Sequence, residues 1–188
     1  MPHNNWQSRI QLNWTFEAKP PRRKATETPR HGDAQRDMLH LLMIEVGHEL
    51  RAPETDEEWR AFHDIRRKVL FENRGKNDYI ENHPDDTRTG NYPLVLLFQG
   101  DIIGVFRIDV CESEAWLRRV AIREDLQRHG HGRVLLRLAE NFALEKNCTG
   151  VRTNAAVESV GFYERCGYVR DTTSVSPVNS VAMRKSLR

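Results

Sequence analysis

The stretch that decides the fold reads LRRVAI at residues 117–122, then QRHGHG at residues 127–132, with an amphipathic segment directly after it. The first block is apolar enough for a strand, and the second contains two closely spaced glycines, Gly130 and Gly132. A helix that begins there presents unpaired backbone N–H groups and a partial positive charge, and glycine lets an anion approach the backbone. This strand–turn–helix junction therefore predicts a phosphate-binding site at the start of the helix.

Two common nucleotide-binding motifs do not fit these glycines. A dinucleotide-binding fingerprint needs G-x-G-x-x-G, but the third glycine position is occupied by Leu135. A P-loop needs Gly-Lys-Ser/Thr, but Gly132 is followed by Arg133 and Val134. A different phosphate-bearing ligand is therefore expected.

The glycine block and a second block further along the chain together resemble one known family. Gln127-x-x-Gly130-x-Gly132 after an apolar strand resembles motif A of the GNAT family, the GCN5-related acyl-CoA N-acyltransferases. Asn154, followed by FYERCGY at residues 162–168, resembles motif B of that family. The resemblance covers roughly residues 46–187. It implies an α/β fold, a mixed and splayed central sheet with helices on both faces.

The resemblance also implies an activity. Members of the family transfer an acetyl group directly from acetyl-CoA to a primary amine, so this chain is expected to be an N-acetyltransferase that uses acetyl-CoA as co-substrate. The acceptor stays open between a small molecule, an antibiotic and a protein. Because the acyl transfer is direct, Cys166 is not needed as a covalent carrier. A homodimer through the sheet edges or the last strands is one assembly that the resemblance allows.

The site residues follow from the same resemblance. Backbone groups of the fourth strand would pair with the pantetheine amides, and the N–H groups of residues 128–132 would surround the pyrophosphate. Asn154 would bind the cofactor arm near the thioester, and Tyr163 would protonate the leaving sulfur. The expected cofactor-binding set is Val120, Ala121, Ile122, Gln127, Arg128, His129, Gly130, His131, Gly132, Arg133 and Asn154. His129 and His131 are expected on the loop surface beside the phosphates, because two histidines without a third ligand make a poor zinc site.

The general base stays open at this point. In histone-modifying relatives a glutamate occupies the position that is Trp116 here, and tryptophan cannot accept a proton. Asp109, Glu112 and Glu114 are close to it in sequence, and His83 lies in a preceding loop. Deprotonation through water is a further alternative.

Composition limits the classes of protein to which the chain can belong. It has 188 residues and a net charge of +2, and no apolar run approaches the ~20 residues that span a bilayer. Its three cysteines are odd in number and widely spaced, which argues against a disulfide framework or a zinc site and favours the reducing cytoplasm.

The charge is unevenly divided along the chain. Residues 1–37 carry seven Lys and Arg against four Asp and Glu, together with Pro20, Pro21 and Pro29. We expect them to form a basic, mostly disordered extension, and residues 38–188 to form the catalytic domain. The domain itself has 22 basic against 23 acidic side chains, which argues against a nucleic-acid-binding body. An acetyltransferase guided to nucleic acid by the extension ranks last among the alternatives.

Local patterns predict the other elements. A first strand is expected within residues 41–51, and Thr55 with Glu58 forms a capping box before a helix. Residues 94–98 and 102–110 predict a hairpin. In the following strand, alternation predicts that Trp116, Arg118, Val120 and Ile122 share one face.

A polar loop separates the first helix from the second strand. It carries Asp78, Glu81, Asp85 and Asp86, which would attract a cationic amine if they lined the acceptor site, or would simply be solvated. A non-catalytic module that binds acyl-CoA as a sensor is the main alternative to an enzyme. Only the enzyme requires Tyr163 and an open acceptor cleft.

Overall fold

The computed structural model describes residues 46–187, and the predictions on residues 1–37 and on the start of the first strand lie outside them. Seven strands form one sheet in the order β1-β2-β3-β4-β5-β7-β6. All neighbouring pairs are antiparallel except β4 and β5. The elements are β1 His48–Arg51, α1 Asp56–Leu70, β2 Asn91–Phe98, β3 Asp101–Cys111, β4 Glu114–Ile122, α2 His131–Glu145, β5 Gly150–Ala156, α3 Val160–Arg165, β6 Val169–Arg170 and β7 Ser180–Ser186. Between them lie short 3₁₀ helices at Glu72–Arg74, Pro84–Asp86, Glu124–Leu126 and Val157–Ser159.

The first helix begins as the sequence predicts. The side chain of Thr55 accepts a hydrogen bond of 3.2 Å from the backbone N–H of Glu58. The carboxylate of Glu58 reaches back over the helix start, where it accepts from the backbone N–H of Glu54 and from the guanidinium of Arg51. The helix start is therefore tied to β1.

Helices cover both faces of the sheet, as expected for this fold. Phe62 and Ile65 of α1 pack against one face with Val95, Val105 and Ala121. Helices α2 and α3 pack against the other face and bury the larger core. Apolar side chains removed from water on two faces are the main contribution to holding the three layers together.

The sheet splits in its middle. Parallel pairing of β4 with β5 runs from Glu114 opposite Gly150 to Leu117 opposite Thr153, and stops there. Each strand continues on its outer side, β4 against β3 as far as Ile122 and β5 against β7. The facing edges of the last parts of β4 and β5 are therefore unpaired with each other, which confirms the predicted splay.

A β-bulge interrupts β4 just beyond this split. Arg118 pairs with Arg107 of β3, and Ala121 pairs with Val105, so three steps along β4 match two along β3. Arg119, in the extra length, has φ of +53°, a left-handed conformation that is rare for a residue with a side chain.

The bulge corrects the predicted alternation in β4. Trp116 and Arg118 do lie together, with the guanidinium 4.6 Å from the indole ring. Val120 and Ile122, however, pack into the same core as Leu117, on the α2 side of the sheet. One extra residue in a strand shifts the side-chain period, so everything after it changes face.

Within residues 46–187, the helices are all too short or too polar to cross a membrane.

Candidate active site

A cleft of about 950 Å³ opens where β4 and β5 separate. One wall consists of strand ends, including Leu117 and Val120 from β4 and Asn154 from β5, together with Tyr163 from α3. The segment after α1 and residues 177–180 complete the lining. The cleft therefore joins the split in the sheet to the predicted acceptor loop.

The predicted phosphate turn has the geometry of an anion site. Arg128 and Gly130 have φ of +67° and +91°, and α2 begins at His131 without a side-chain cap or an acidic residue in its first turn. The N–H groups of Arg133 and Val134 bond to the carbonyl of Gly130. In the described part of the chain, the N–H groups of residues 128–132 have no such acceptor. Successive free N–H groups at a helix start form a concave donor surface for phosphate.

Two neighbouring side chains shape this turn. The amide of Gln127 donates a hydrogen bond of 3.0 Å to the carbonyl of Ile122, which ties the turn to the end of β4. A Cβ atom on Gly132 would lie 3.2 Å from the ring of Phe162, so only glycine leaves this contact relaxed. Gln127 and Gly132 thus act on the shape of the site.

The structure corrects the position of one histidine. His129 is exposed, as expected for a loop residue. His131 is only 8% exposed, and its Nδ1 lies 2.8 Å from Nε2 of His48 on β1. Burial lowers the pKa of His131, with His129 adding to the effect. His131 therefore packs the first turn of α2 onto the sheet, with Phe98 beside it, instead of flanking the phosphates on the loop surface.

Tyr163 lies at the bottom of the cleft. Its side chain is 6% exposed, and its ring lies between those of Phe162 and Tyr168, with centroids 5.2 and 5.4 Å away. Burial raises the pKa of Tyr163 to about 12, although a hydrogen bond with Thr153 acts in the opposite direction. The hydroxyl consequently stays protonated at neutral pH and is available as a donor.

Asn154 carries a polar atom without a partner. It lines the cleft from β5, and its Oδ1 is buried without a hydrogen bond among the described residues. Buried polar atoms are almost always hydrogen-bonded, so this oxygen fits a donor that a ligand would bring. Ala121, by contrast, turns its side chain into the α1 core and has only its backbone to offer.

Two candidate bases are wrong. Glu112 and Glu114 lie at the hairpin end of β4, about 20 Å along the strand from Val120 at 3.3 Å per residue. Glu114 is also held by Arg152, whose Nε is 3.0 Å from its carboxylate.

The other two candidates differ in access. Asp109 is bound by Arg107 at 2.6 Å and faces Arg118 at 3.4 Å, so cations occupy its carboxylate. His83 lines the cleft, and its Nδ1 accepts a hydrogen bond from the N–H of Asp85. Because Nδ1 accepts, the neutral ring of His83 carries its proton on Nε2, which can donate to a bound group but cannot take a proton from an amine.

The acidic loop, for which the sequence left open an anionic wall or a solvated segment, places only some of its acids at the cleft. Asp86 is buried and bonded to Arg66 and Arg107, and Asp85 lies 3.3 Å from Arg107. Glu81 does not line the cleft. Of the four acids, only Asp78 and Asp85 reach it.

Sequence reasoning missed the cationic side of the cleft. Its basic lining residues are Arg74, Lys76, Arg107, Arg118 and Arg119. The doublet of arginines inside the apolar strand was the signal in the sequence that pointed to them. The 3.4 Å ion pair between Arg74 and Glu158, by contrast, has no local signal in the sequence and joins the segment after α1 to the segment after β5.

A sheet split beside a turn of free N–H groups, with a buried tyrosine at the split, defines the protein as an acyltransferase of the class that uses acyl-CoA. The chain belongs to the acetyltransferase (GNAT) family, whose model matches residues 59–168.

Solved structures share this fold. A proposed N-acetyltransferase from Lactobacillus plantarum is 26% identical, with a TM-score of 0.65 over 76% of this chain and 99% of that chain. An acyl-CoA N-acyltransferase from Pseudomonas aeruginosa is 21% identical, with a TM-score of 0.63 over 73% and 97% of the two chains. The PaiA N-acetyltransferase of Thermoplasma acidophilum, in complex with coenzyme A, is 16% identical, with a TM-score of 0.59 over 74% and 99%.

Proposed function

We propose that the protein transfers the acetyl group of acetyl-CoA directly to a primary amine. The observation that carries this proposal is the continuity of the split between β4 and β5 with the turn of free N–H groups at residues 128–132. Acetyl-CoA is an extended molecule with amides in its pantetheine arm and a pyrophosphate further along. The amides match the unpaired strand edges at the split, and the pyrophosphate matches the free N–H groups of residues 128–132.

Each part of the co-substrate has a candidate partner. The pantetheine amides would pair with the backbone of Val120 and Ile122, as an added strand would. The N–H groups of residues 128–132 would surround the pyrophosphate, with Arg128 and Arg133 adding positive charge. The unpartnered Oδ1 of Asn154 would accept from an N–H group of the pantetheine arm.

The residues at the split support direct transfer. The thioester supplies an activated acetyl group, and the amine must be neutral to attack it. The hydroxyl of Tyr163 then gives its proton to the departing sulfur. The proton of the amine passes to water in the open cleft, because Nε2 of His83 already carries the ring proton.

A calorimetric titration with acetyl-CoA, CoA and dephospho-CoA tests cofactor use, followed by a screen of amines for CoA release. Saturable binding near one site per chain, with turnover of at least one amine, is expected. Binding with no turnover of any amine would instead favour an acyl-CoA sensor, and absence of binding would contradict both functions.

A further inference from the structure

Arg119 occupies an unusual position in the cleft. It lies within the bulge of β4, directly before Val120, and lines the cleft with a left-handed backbone. Strained residues of this kind persist where the surrounding structure holds them, and they cluster at binding and active sites. A bulge can also redirect a side chain relative to a regular strand.

An aromatic ring, not a carboxylate, holds this guanidinium. Its carbon lies 5.4 Å from the ring centroid of Phe71. Phe71 is fixed in turn by the edge of Tyr79, at 5.0 Å, and the hydroxyl of Tyr79 lies 2.6 Å from Nδ1 of His63. The support beneath Arg119 is therefore rigid, while no carboxylate in residues 46–187 forms an ion pair with its donors.

The other arginines of the cleft differ in this respect. Arg118 faces Asp109 at 3.4 Å, and Arg74 faces Glu158 at 3.4 Å. Arg107 is likewise neutralised by neighbouring aspartates. Three charged residues that line the cleft form no ion pair among residues 46–187. Two are cations, Arg119 and Lys76, and one is a carboxylate, Asp78.

We infer that the acceptor is a small amine that also bears a carboxylate, and that Arg119 binds this carboxylate. The planar guanidinium can donate two parallel hydrogen bonds to a carboxylate, and the ring of Phe71 holds it without competing for them. Asp78 offers the complementary attraction for an ammonium group as it enters. A polyamine has no group that uses Arg119. The inference rests on the proposed acetyl transfer.

The test compares three sets of acceptors in a CoA-release assay: short straight-chain amino acids, the carboxamides of the same amino acids, and diamines of matching length. The carboxylates are expected to exceed their carboxamides in kcat/KM by roughly tenfold to a hundredfold, the range for a hydrogen bond between charged groups. Equal kcat/KM values, or a preference for diamines, would overturn the inference.

Variants connect the preference to Arg119. Arg119→Gln is expected to bring the ratio of carboxylate to carboxamide close to one, and Arg119→Glu to shift the preference toward diamines. Arg60→Gln, on the exposed surface of α1, is the matched control and should keep the wild-type ratio. Partial unfolding of a variant would lower the rates with carboxylates and carboxamides equally, so it cannot by itself change the ratio between them. An unchanged ratio in Arg119→Gln would contradict the assignment.

Calorimetry with acetyl-CoA on each protein separates the two proposals. If the wild-type chain does not bind acetyl-CoA, the proposed function itself is contradicted. Binding of acetyl-CoA together with acetylation of diamines alone, or of no carboxylate-bearing amine, would leave cofactor binding intact and remove only this inference.

Discussion

The hydroxyl of Thr153 donates a buried hydrogen bond of 3.1 Å to the carbonyl of Leu117, across the last paired residues of β4 and β5. The side chain ties the strands together at the point where the sheet divides. Beyond it, the free edges line the cleft. The bond therefore fixes the apex of the cleft and, through the neighbouring hydroxyl of Tyr163, the depth at which the proton donor lies.

Thr153→Val should lower the free energy of unfolding by about 1–2 kcal/mol, because the shape is kept but a buried carbonyl loses a donor. Urea unfolding measures the change. Thr149→Val is the control, since its exposed hydroxyl is 3.4 Å from the carbonyl of Ser113 and its loss should cost less than about 0.5 kcal/mol. Equal losses in the two variants would show that the Thr153 bond has no special role.

Tyr163→Phe should lower kcat by roughly 10²–10⁴-fold while the affinity for acetyl-CoA stays nearly constant, because proton donation acts only on the chemical step. Single-turnover CoA release and calorimetry measure the two quantities. Tyr168→Phe is a matched control, since that ring is equally buried but does not line the cleft. If kcat is unchanged in Tyr163→Phe, another group is the acid.

The pH profile of kcat should reflect the raised pKa of Tyr163. Burial raises this pKa to about 12, and the protonated hydroxyl is the active form, so its contribution is present below that pH and is lost above it. The rate is expected to rise as the amine loses its proton and then to stay level through pH 10, where an ordinary tyrosine is half ionised. A fall in kcat with a midpoint near pH 10, absent from Tyr163→Phe, would contradict the burial argument.

What could be predicted from the sequence was local. Thr55 marks the start of α1 because a cap acts within one turn, and the glycines of residues 130–132 mark the phosphate turn because backbone freedom is a property of the residue itself. The splay followed from the family resemblance, which supplies the long-range arrangement.

What could not be predicted depends on pairing between distant segments. The bulge at Arg119 exists only in register with β3, and the contact of His131 with His48 joins residues 83 positions apart. Asp86 was expected in a polar loop, but two arginines from other elements bury it. Glu112 and Glu114 are close in sequence to Trp116, where relatives have the base, but they lie at the hairpin end of β4, far from the cleft.

Asp86→Asn should destabilise the fold by about 3–5 kcal/mol, because Arg66 is 1% exposed and would lose its carboxylate. Burial alone would raise the pKa of Asp86, but the charge of Arg66 and hydrogen bonds from Arg66 and Arg107 outweigh it and lower the pKa. The carboxylate therefore stabilises the fold above its unfolded pKa, and that stability is lost as pH falls through the folded pKa.

Asp85→Asn is the control for Asp86→Asn. Its half-exposed carboxylate also lies near Arg107, at 3.3 Å, but water screens the pair, so a loss of at most about 1 kcal/mol is expected. Urea unfolding at neutral pH and again near pH 3 compares the two variants. Asp86→Asn should narrow the gap in stability between those pH values, and an unaltered gap would show that the buried carboxylate does not set the acid response.

Gly130→Ala tests the phosphate turn. Gly130 and Gly100 have nearly the same left-handed backbone, with φ of +91° and +93°, so an alanine at either position should cost about 1–2 kcal/mol of stability. Gly100 lies in the hairpin turn between β2 and β3, with open space around an added Cβ. The two glycines therefore share the same left-handed φ and differ in location.

Only Gly130→Ala should lower the affinity for acetyl-CoA, by tenfold or more. Relief of the backbone strain would turn the free N–H groups of residues 128–132 so that they no longer point at one phosphate. Calorimetric titration of both variants, below their unfolding temperatures, measures the difference. Dephospho-CoA, which keeps the pyrophosphate, should lose affinity in the same proportion. Equal affinities for acetyl-CoA in the two variants would mean that the pyrophosphate does not bind at this turn, and the anion site would then have to be sought elsewhere along the cleft.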